Sequence, residues 1–121
     1  MKKVLILASI VFSLSVQSQS VSCEDLMDYV TTKGYNFQSV SSYQLYDSSW
    51  LNNVDAYKVE GRIAVIAEIK RDDIGFSTKK YVFCGISESR WDYFYYGLYD
   101  IGKSYGERFH KYIIDYQCNC Y

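Results

Sequence analysis

Proline is absent from this 121-residue chain, and histidine occurs only once, at position 110. A lone histidine is a poor basis for nucleophilic or acid–base catalysis, which needs a nucleophile or an acid beside the imidazole. The nearest candidate, Ser104, is better explained as a helix cap. We therefore predict that the protein is not an enzyme and carries no cofactor. An enzyme built around His110 ranks third among our hypotheses.

Long apolar runs are also missing, apart from one at the N-terminus. Two lysines precede the stretch Val4–Val16, which only serines interrupt, and Val16 and Ser18 suit the small-residue positions before a signal-peptidase site. The stretch is too short to span a bilayer comfortably. We predict a signal peptide over residues 1–18 and a secreted or periplasmic mature protein with no membrane attachment; a retained anchor is the alternative.

Basic residues are outnumbered once this signal is removed. Cleavage takes away two of the 13 basic residues and none of the 14 acidic ones, which leaves a formal net charge of −3. General nucleic-acid binding requires clustered positive charge. Nucleic acid is therefore a disfavoured partner. About 100 residues remain, enough for one modest core.

Four cysteines remain in the predicted mature chain: Cys23, Cys84, Cys118 and Cys120. An even number in a small exported domain predicts two disulfides. A bridge between Cys118 and Cys120 would be strained, so we expect each to pair elsewhere, and the pairing is otherwise open. A zinc site that adds His110 is the alternative. The Cys-x-Cys spacing is not the usual zinc knuckle, and we predict no metal.

The clearest helix is the stretch Lys103–Tyr116. Ser104 and Glu107 have the spacing of a capping box, and Phe109 belongs to an apolar stripe of helical period behind it. Arg108 falls off the stripe, towards water. Gly106 indicates either the close approach of another backbone, from a strand or helix that crosses there, or a tolerated glycine in a fraying first turn.

The rest of the chain alternates between helical and extended patterns. We predict a first helix at Val21–Lys33, a serine-rich loop at Tyr35–Ser49 with one extended piece near Tyr43–Tyr46, and strands at Val54–Val59, Arg62–Lys70 and Lys79–Ile86. Asp72 and Asp73 lie in a connection that we interpret as a solvated loop, because adjacent acids do not make a calcium site. Consecutive strands joined by turns indicate an antiparallel meander.

A further helix is predicted to open at Ser89. Trp91, Phe94, Tyr95 and Leu98 form its apolar stripe, and both Trp91 and Trp50 are expected in the core. Tyr93, Tyr96 and Tyr99 fall off the stripe and are candidate binding residues, because exposed tyrosines suit interfaces. The alternative is burial beneath residues 35–49. The predicted fold is α+β: a three-stranded antiparallel meander covered by two C-terminal helices, with an extra N-terminal helix at an edge or end.

Residues from about Ser48 to Tyr116 resemble the KTSC domain, named for the C-terminus of some lysyl-tRNA synthetases and also found as single-domain bacterial proteins. Ser49-Trp50-Leu51 resembles the serine segment that opens that domain, and Tyr81-Val82-Phe83 stands at its central Tyr-x-Tyr. Ser104-Tyr105-Gly106-Glu107-Arg108-Phe109 is similar to its helix start. The resemblance implies a KTSC-like domain at 48–121, preceded by an extension at 19–47.

The activity of that family is unknown, and RNA binding has been suggested for it. We therefore hold two main hypotheses. The first is a secreted interaction module that binds a protein or surface ligand through Tyr93, Tyr96 and Tyr99. The second is an RNA-binding or other nucleic-acid-binding domain that uses Tyr81 and Phe83 for base stacking, with nearby lysines for phosphate contact.

Overall fold

The computed structural model describes residues 21–71 and 77–121. Within them the chain forms helix α1 (Cys23–Lys33), strands β1 (Tyr35–Val40), β2 (Leu51–Val59), β3 (Arg62–Lys70) and β4 (Thr78–Ile86), helices α2 (Glu88–Tyr96) and α3 (Tyr105–Tyr112), and a 3₁₀ turn (Ile114–Tyr116). The strands pair antiparallel in chain order as one sheet. The predicted α+β class is confirmed. The proposed signal peptide and the Asp72–Asp73 segment lie outside the described residues.

Strand β3 divides the interior into two apolar layers. Alternate residues of a strand point to opposite faces, and here Val65 and Ala67 join one core while Ala64 and Ile66 join another. Both faces of the sheet are therefore covered, which explains why β3 is apolar along most of its length.

The larger core lies between the sheet and the two C-terminal helices. Its buried aromatic residues are Phe83 from β4, Trp91 and Phe94 from α2, and Phe109 from α3. The rings of Phe83 and Phe94 both meet Phe109 edge-on, with centroids 5.2 and 5.6 Å away. Phe109 thus packs against both the sheet and helix α2.

Helix α1 packs on the opposite face of the sheet, not at an edge or end as the sequence analysis predicted. Its Val30 joins Ala64, Ile66 and Val82 in the smaller core. No helix among the described residues is long and apolar enough to span a membrane.

Two disulfides fasten the C-terminus to this scaffold, and they confirm the predicted two bridges. Cys23 pairs with Cys120, and Cys84 pairs with Cys118. The backbone N–H of Cys23 also donates to the carbonyl of Tyr121 at 2.7 Å. The end of the last segment is thereby tied to the start of α1 and to strand β4.

The prediction of a loop over Tyr35–Ser49 is wrong at its start, where Tyr35–Val40 form strand β1. The sheet therefore has four strands, not three. A bulge places Asn36 and Gln38 opposite consecutive residues of β2, and Phe37 is the extra residue. The side-chain amide of Asn36 donates to the carbonyl of Ala56 at 2.9 Å within the bulge. The bulge interrupts the alternation by which a strand is recognised in sequence.

The helix starts follow local side-chain chemistry. Ser104 and Glu107 form both hydrogen bonds of the predicted capping box. Helix α2 begins two residues earlier than predicted, because the hydroxyl of Ser87, not of Ser89, accepts from the N–H of Arg90 at 3.1 Å. Helix α3 ends at Tyr112, so the predicted helix to Tyr116 is completed by the 3₁₀ turn.

Candidate functional site

Helix α2 and the turn after it carry a group of exposed apolar side chains, which we term the aromatic surface: Tyr93, Tyr96, Leu98, Tyr99 and Ile101. The three candidate tyrosines are 37%, 57% and 75% exposed, in chain order. They are therefore not buried beneath residues 35–49. The prediction that Leu98 packs in the core is wrong, because Gly97 ends α2 with a left-handed φ of 67° and the chain turns outward before Leu98.

Ring contacts restrict the movement of the aromatic surface. Tyr93 meets Tyr99 edge-on at 5.2 Å between ring centroids and also contacts the ring of Tyr112 at 5.6 Å. The hydroxyl of Tyr96 accepts a hydrogen bond from the side-chain amide of Gln38 at 3.3 Å. A surface ordered before binding loses less conformational entropy on contact with a partner.

Arg108 holds the turn after α2 in place from inside the protein. Its guanidinium donates to the carbonyls of Phe94 and Lys103, at 2.8 and 2.9 Å, and reaches that of Tyr95 at 3.5 Å. The side chain is 9% exposed, so the expectation that it faces water is wrong. The bonds to Phe94 and Tyr95 satisfy carbonyls at the end of α2, which otherwise have no partner within the helix.

Gly97 is required beside this guanidinium. A Cβ at position 97 would lie 2.7 Å from the Cζ of Arg108, closer than packed atoms approach each other. The close approach of Arg108 and the left-handed backbone therefore both favour glycine at position 97.

Asp100 forms a second anchor for the turn. Its buried carboxylate accepts from the ammonium of Lys111 at 2.7 Å and from the hydroxyl of Tyr112 at 2.5 Å. These two hydrogen bonds hold the pKa of the Asp100 carboxyl below its usual value. The same contact with Asp100 raises the pKa of both Lys111 and Tyr112.

A polar groove of about 660 Å³ opens between residues 47–50 and the stretch 100–111. Gly106 lines this groove. Glycine suits the position because a Cβ there would be 2.9 Å from the hydroxyl of Ser48 and 3.1 Å from the indole nitrogen of Trp50. Position 106 is closely approached, but by the side chains of Ser48 and Trp50 and not by the backbone of a crossing strand or helix, as the sequence analysis predicted. Ser48 is itself fixed by accepting from the N–H of Leu51 at 3.0 Å.

Two carboxylates of this groove, those of Asp100 and Glu107, are not suited to proton donation. Glu107 accepts from the backbone N–H of Ser104, which lowers the pKa of the Glu107 carboxyl. The pKa of Asp100 is lowered as well. A general acid at neutral pH needs a raised carboxyl pKa. The arrangement offers hydrogen-bonding groups and rings for binding.

The two aromatic residues of the nucleic-acid hypothesis lie on the sheet face that the helices cover. Phe83 is 1% exposed and its ring is covered by Phe109, so a base cannot stack on it. Tyr81 is half-buried, and the ammonium of Lys79 lies 5.3 Å from its ring centroid. The sheet therefore presents no open aromatic platform at these positions.

The remaining candidates have structural roles or exposed positions. All four cysteines are in disulfides, so none is a thiolate ligand for zinc. His110 is exposed on α3 and lines the groove. Within the described ranges, no group of three or more histidine, cysteine or acidic side chains is arranged to hold a metal ion. Trp91 is buried as predicted, whereas Trp50 is only half-buried.

Sequence reasoning missed Arg108, Asp100 and Ser48 as residues that shape the site. Asp100 and Gly97 lie in a turn after a helical stripe, which is a usual position for caps and anchors. No local pattern reveals that Arg108 donates to Phe94, 14 residues away, or that Ser48 approaches Gly106, because these contacts join separate segments of the chain.

The fold and the site together define a small disulfide-linked α+β domain with an ordered aromatic surface beside a polar groove. No family model matches the chain, and comparison with curated proteins and with solved structures likewise gave no match.

Proposed function

We propose that this protein is an exported, non-enzymatic binding module that engages a protein or surface ligand through the aromatic surface. The observation that carries the proposal is the exposure of Tyr96, Leu98, Tyr99 and Ile101 within six consecutive residues. The bonds of Arg108 and Asp100 hold that segment in a defined shape. Ordered, exposed aromatic residues are typical of binding surfaces.

Two further observations support this class of function. Both bridges are of the kind that persists outside the cytosol, which agrees with a secreted or periplasmic location. The pKa values of the Asp100 and Glu107 carboxyls are lowered, so neither suits the role of a general acid, which supports a module without catalysis.

Membership of a KTSC-like group is part of the proposal. The Ser49–Leu51 segment and the Ser104–Phe109 helix start, which carry the resemblance, adjoin each other through the contact of Trp50 with Gly106. In this proposal residues 48–121 form the domain proper, with β2–β4, α2 and α3. Residues 19–47 then form an extension that adds α1 and the edge strand β1.

The alternative, a nucleic-acid-binding domain, has less support. It would use Tyr81 and Phe83, and the burial of Phe83 removes the stronger stacking position. The exposed Lys79 and Lys80 remain as phosphate contacts, but the predicted mature chain is acidic.

Site-specific photocrosslinking in the native host tests the proposal. A photoreactive phenylalanine analogue would replace Tyr96 or Tyr99, with Tyr35 and Tyr121 as matched exposed tyrosines outside the aromatic surface. We expect a discrete crosslinked partner from positions 96 and 99 and none from 35 and 121. Equal crosslinking from all four positions, or none from any, would contradict the proposed surface.

A further inference from the structure

Of the aspartate, glutamate, lysine and arginine side chains that line the polar groove, all except Asp47 and Lys103 have partners within the described part of the protein. Asp100 is occupied by Lys111 and Tyr112, Glu107 caps α3, and Arg108 donates to carbonyls. Neither an anion nor a cation would therefore meet an unpaired cluster of opposite charge. At the start of α3 the N–H groups of Ser104 and Glu107 already donate within the capping box, so these two donors are not available to an anion.

Hydrogen-bonding capacity nevertheless remains at the groove. Asp47, Ser49, Lys103 and His110 line it with exposed side chains that make no hydrogen bond or ion pair with the part of the chain that the structure describes. They offer donors and acceptors in mixture. Such a set suits an uncharged ligand that both donates and accepts hydrogen bonds.

One aromatic ring lines the groove, and two exposed tyrosines neighbour its lining residues in sequence. Trp50 forms part of the lining, half-buried, with its ring edge-on to Phe109 at 5.8 Å. Tyr46 precedes the lining residue Asp47, and Tyr99 precedes the lining residue Asp100; both tyrosines are largely exposed. A ring with an apolar face can pack against the C–H groups on one face of a sugar.

We propose that the polar groove binds an uncharged oligosaccharide, whose hydroxyl groups bond to Asp47, Ser49, Lys103 and His110 while its sugar rings pack on Trp50, Tyr46 and Tyr99. The groove volume of about 660 Å³ falls within the range of small-molecule sites. This inference rests on the proposed function, since it names the surface ligand of the same binding module.

A peptide ligand fits the groove less well. Peptide recognition relies on apolar anchor side chains that enter apolar pockets. The lining here consists of polar side chains with one indole and one glycine, so it offers no such pocket. A sugar chain needs only flat rings and hydrogen-bonding partners.

The two tryptophans provide a reporter and an internal control for binding. The indole N–H of Trp50 lies at the groove, whereas that of Trp91 is buried and donates to Gln38 at 2.5 Å. The oxidised mature protein would be titrated with cellohexaose, maltohexaose and chitohexaose, with hexagalacturonate as a charged match. We expect a saturable shift of the Trp50 indole NMR signal with a neutral hexasaccharide and no shift of the Trp91 signal.

Variants assign the effect to the groove. We expect Asp47→Ala and Tyr99→Ala each to weaken binding about tenfold, equivalent to ~1.4 kcal/mol. Tyr35→Ala, an exposed tyrosine on β1 outside the groove, should leave the affinity unchanged.

Three outcomes would overturn the inference: no saturable Trp50 shift with any neutral hexasaccharide, preference for hexagalacturonate, or a Trp50 shift only with an uncharged hexapeptide. In each case, crosslinking from positions 96 and 99 in the host would show that the proposed function as a binding module is still supported, although its ligand is not an oligosaccharide. Loss of crosslinking with sugar binding intact would instead contradict the proposed aromatic surface.

Discussion

At the scale of single residues, Arg108 links the stability of the fold to the shape of the aromatic surface. It is a buried cation whose partners are backbone carbonyls, so its removal would leave those carbonyls without hydrogen bonds inside the protein. We expect Arg108→Ala to lower the free energy of unfolding by about 2–4 kcal/mol. Urea denaturation of the oxidised protein measures this loss.

Two variants separate this role from a general effect of charge. Arg62→Ala removes an exposed arginine on β3 and should change stability by no more than about 0.5 kcal/mol. Arg108→Lys keeps the charge, but a lysine cannot donate in the planar fork of a guanidinium, so it should recover only part of the loss. Equal stability of Arg108→Ala and Arg62→Ala would exclude the proposed anchoring.

The lowered pKa of Asp100 predicts how the stability of the protein changes in acid. Its carboxyl has a lowered pKa in the folded state, so its contribution is present above the unfolded pKa of about 3.9 and is lost as pH falls through the folded value. Asp100→Asn should therefore be destabilised at pH 7 and lose less stability than wild type between pH 5 and pH 2. Unfolding measured across that range tests this, with the exposed carboxyl variant Asp92→Asn as the control. Parallel curves for wild type and Asp100→Asn would contradict the assignment.

At the scale of elements, helix α1 depends on its disulfide. An isolated helix of 11 residues is marginal in water, and the apolar packing of α1 is through the small second core. The Cys23–Cys120 bridge spans 97 residues, so its loss should cost about 4–5 kcal/mol in the chain-entropy account. In Cys23→Ser with Cys120→Ser we expect fast amide exchange over α1 while β2 and β3 stay protected.

The second bridge provides the comparison for this prediction. Cys84→Ser with Cys118→Ser opens a loop of 34 residues and frees the C-terminal segment from β4. In this variant, amide exchange should rise around residues 117–118. These residues pair with β4 through a backbone hydrogen bond and an isolated β-bridge. Exchange that rises equally over the whole chain in both variants would show that α1 is not a separately stabilised element.

Those elements that depend on short-range chemistry could be predicted from the sequence. The capping box of Ser104 and Glu107 and the bounds of β3 follow from residues within one turn or one strand. Strand β1 could not be recognised, because its bulge at Phe37 is stabilised by the distant β2 carbonyl of Ala56. The groove and the placement of Arg108 likewise depend on contacts between segments far apart in sequence.

At the scale of the whole molecule, the two disulfides and the predicted signal peptide make one joint prediction about the native protein. We expect its intact mass to correspond to a chain that begins near Gln19, with no thiol available for alkylation until the protein is reduced. The reason is that both bridges need an oxidising compartment, which this chain reaches only by export. Mass spectrometry of protein from the native host, with and without reduction, measures both quantities together.

The reduced and alkylated sample is the internal control, since it should gain four alkyl groups. A full-length mass with four free thiols before reduction would place the protein in a reducing compartment. Helix α1 would then lack its covalent tie, and the Cys84, Cys118 and Cys120 thiols would become available to a metal. Nucleic acid would also become an accessible partner, so this one result would remove the compartment on which the binding-module proposal depends.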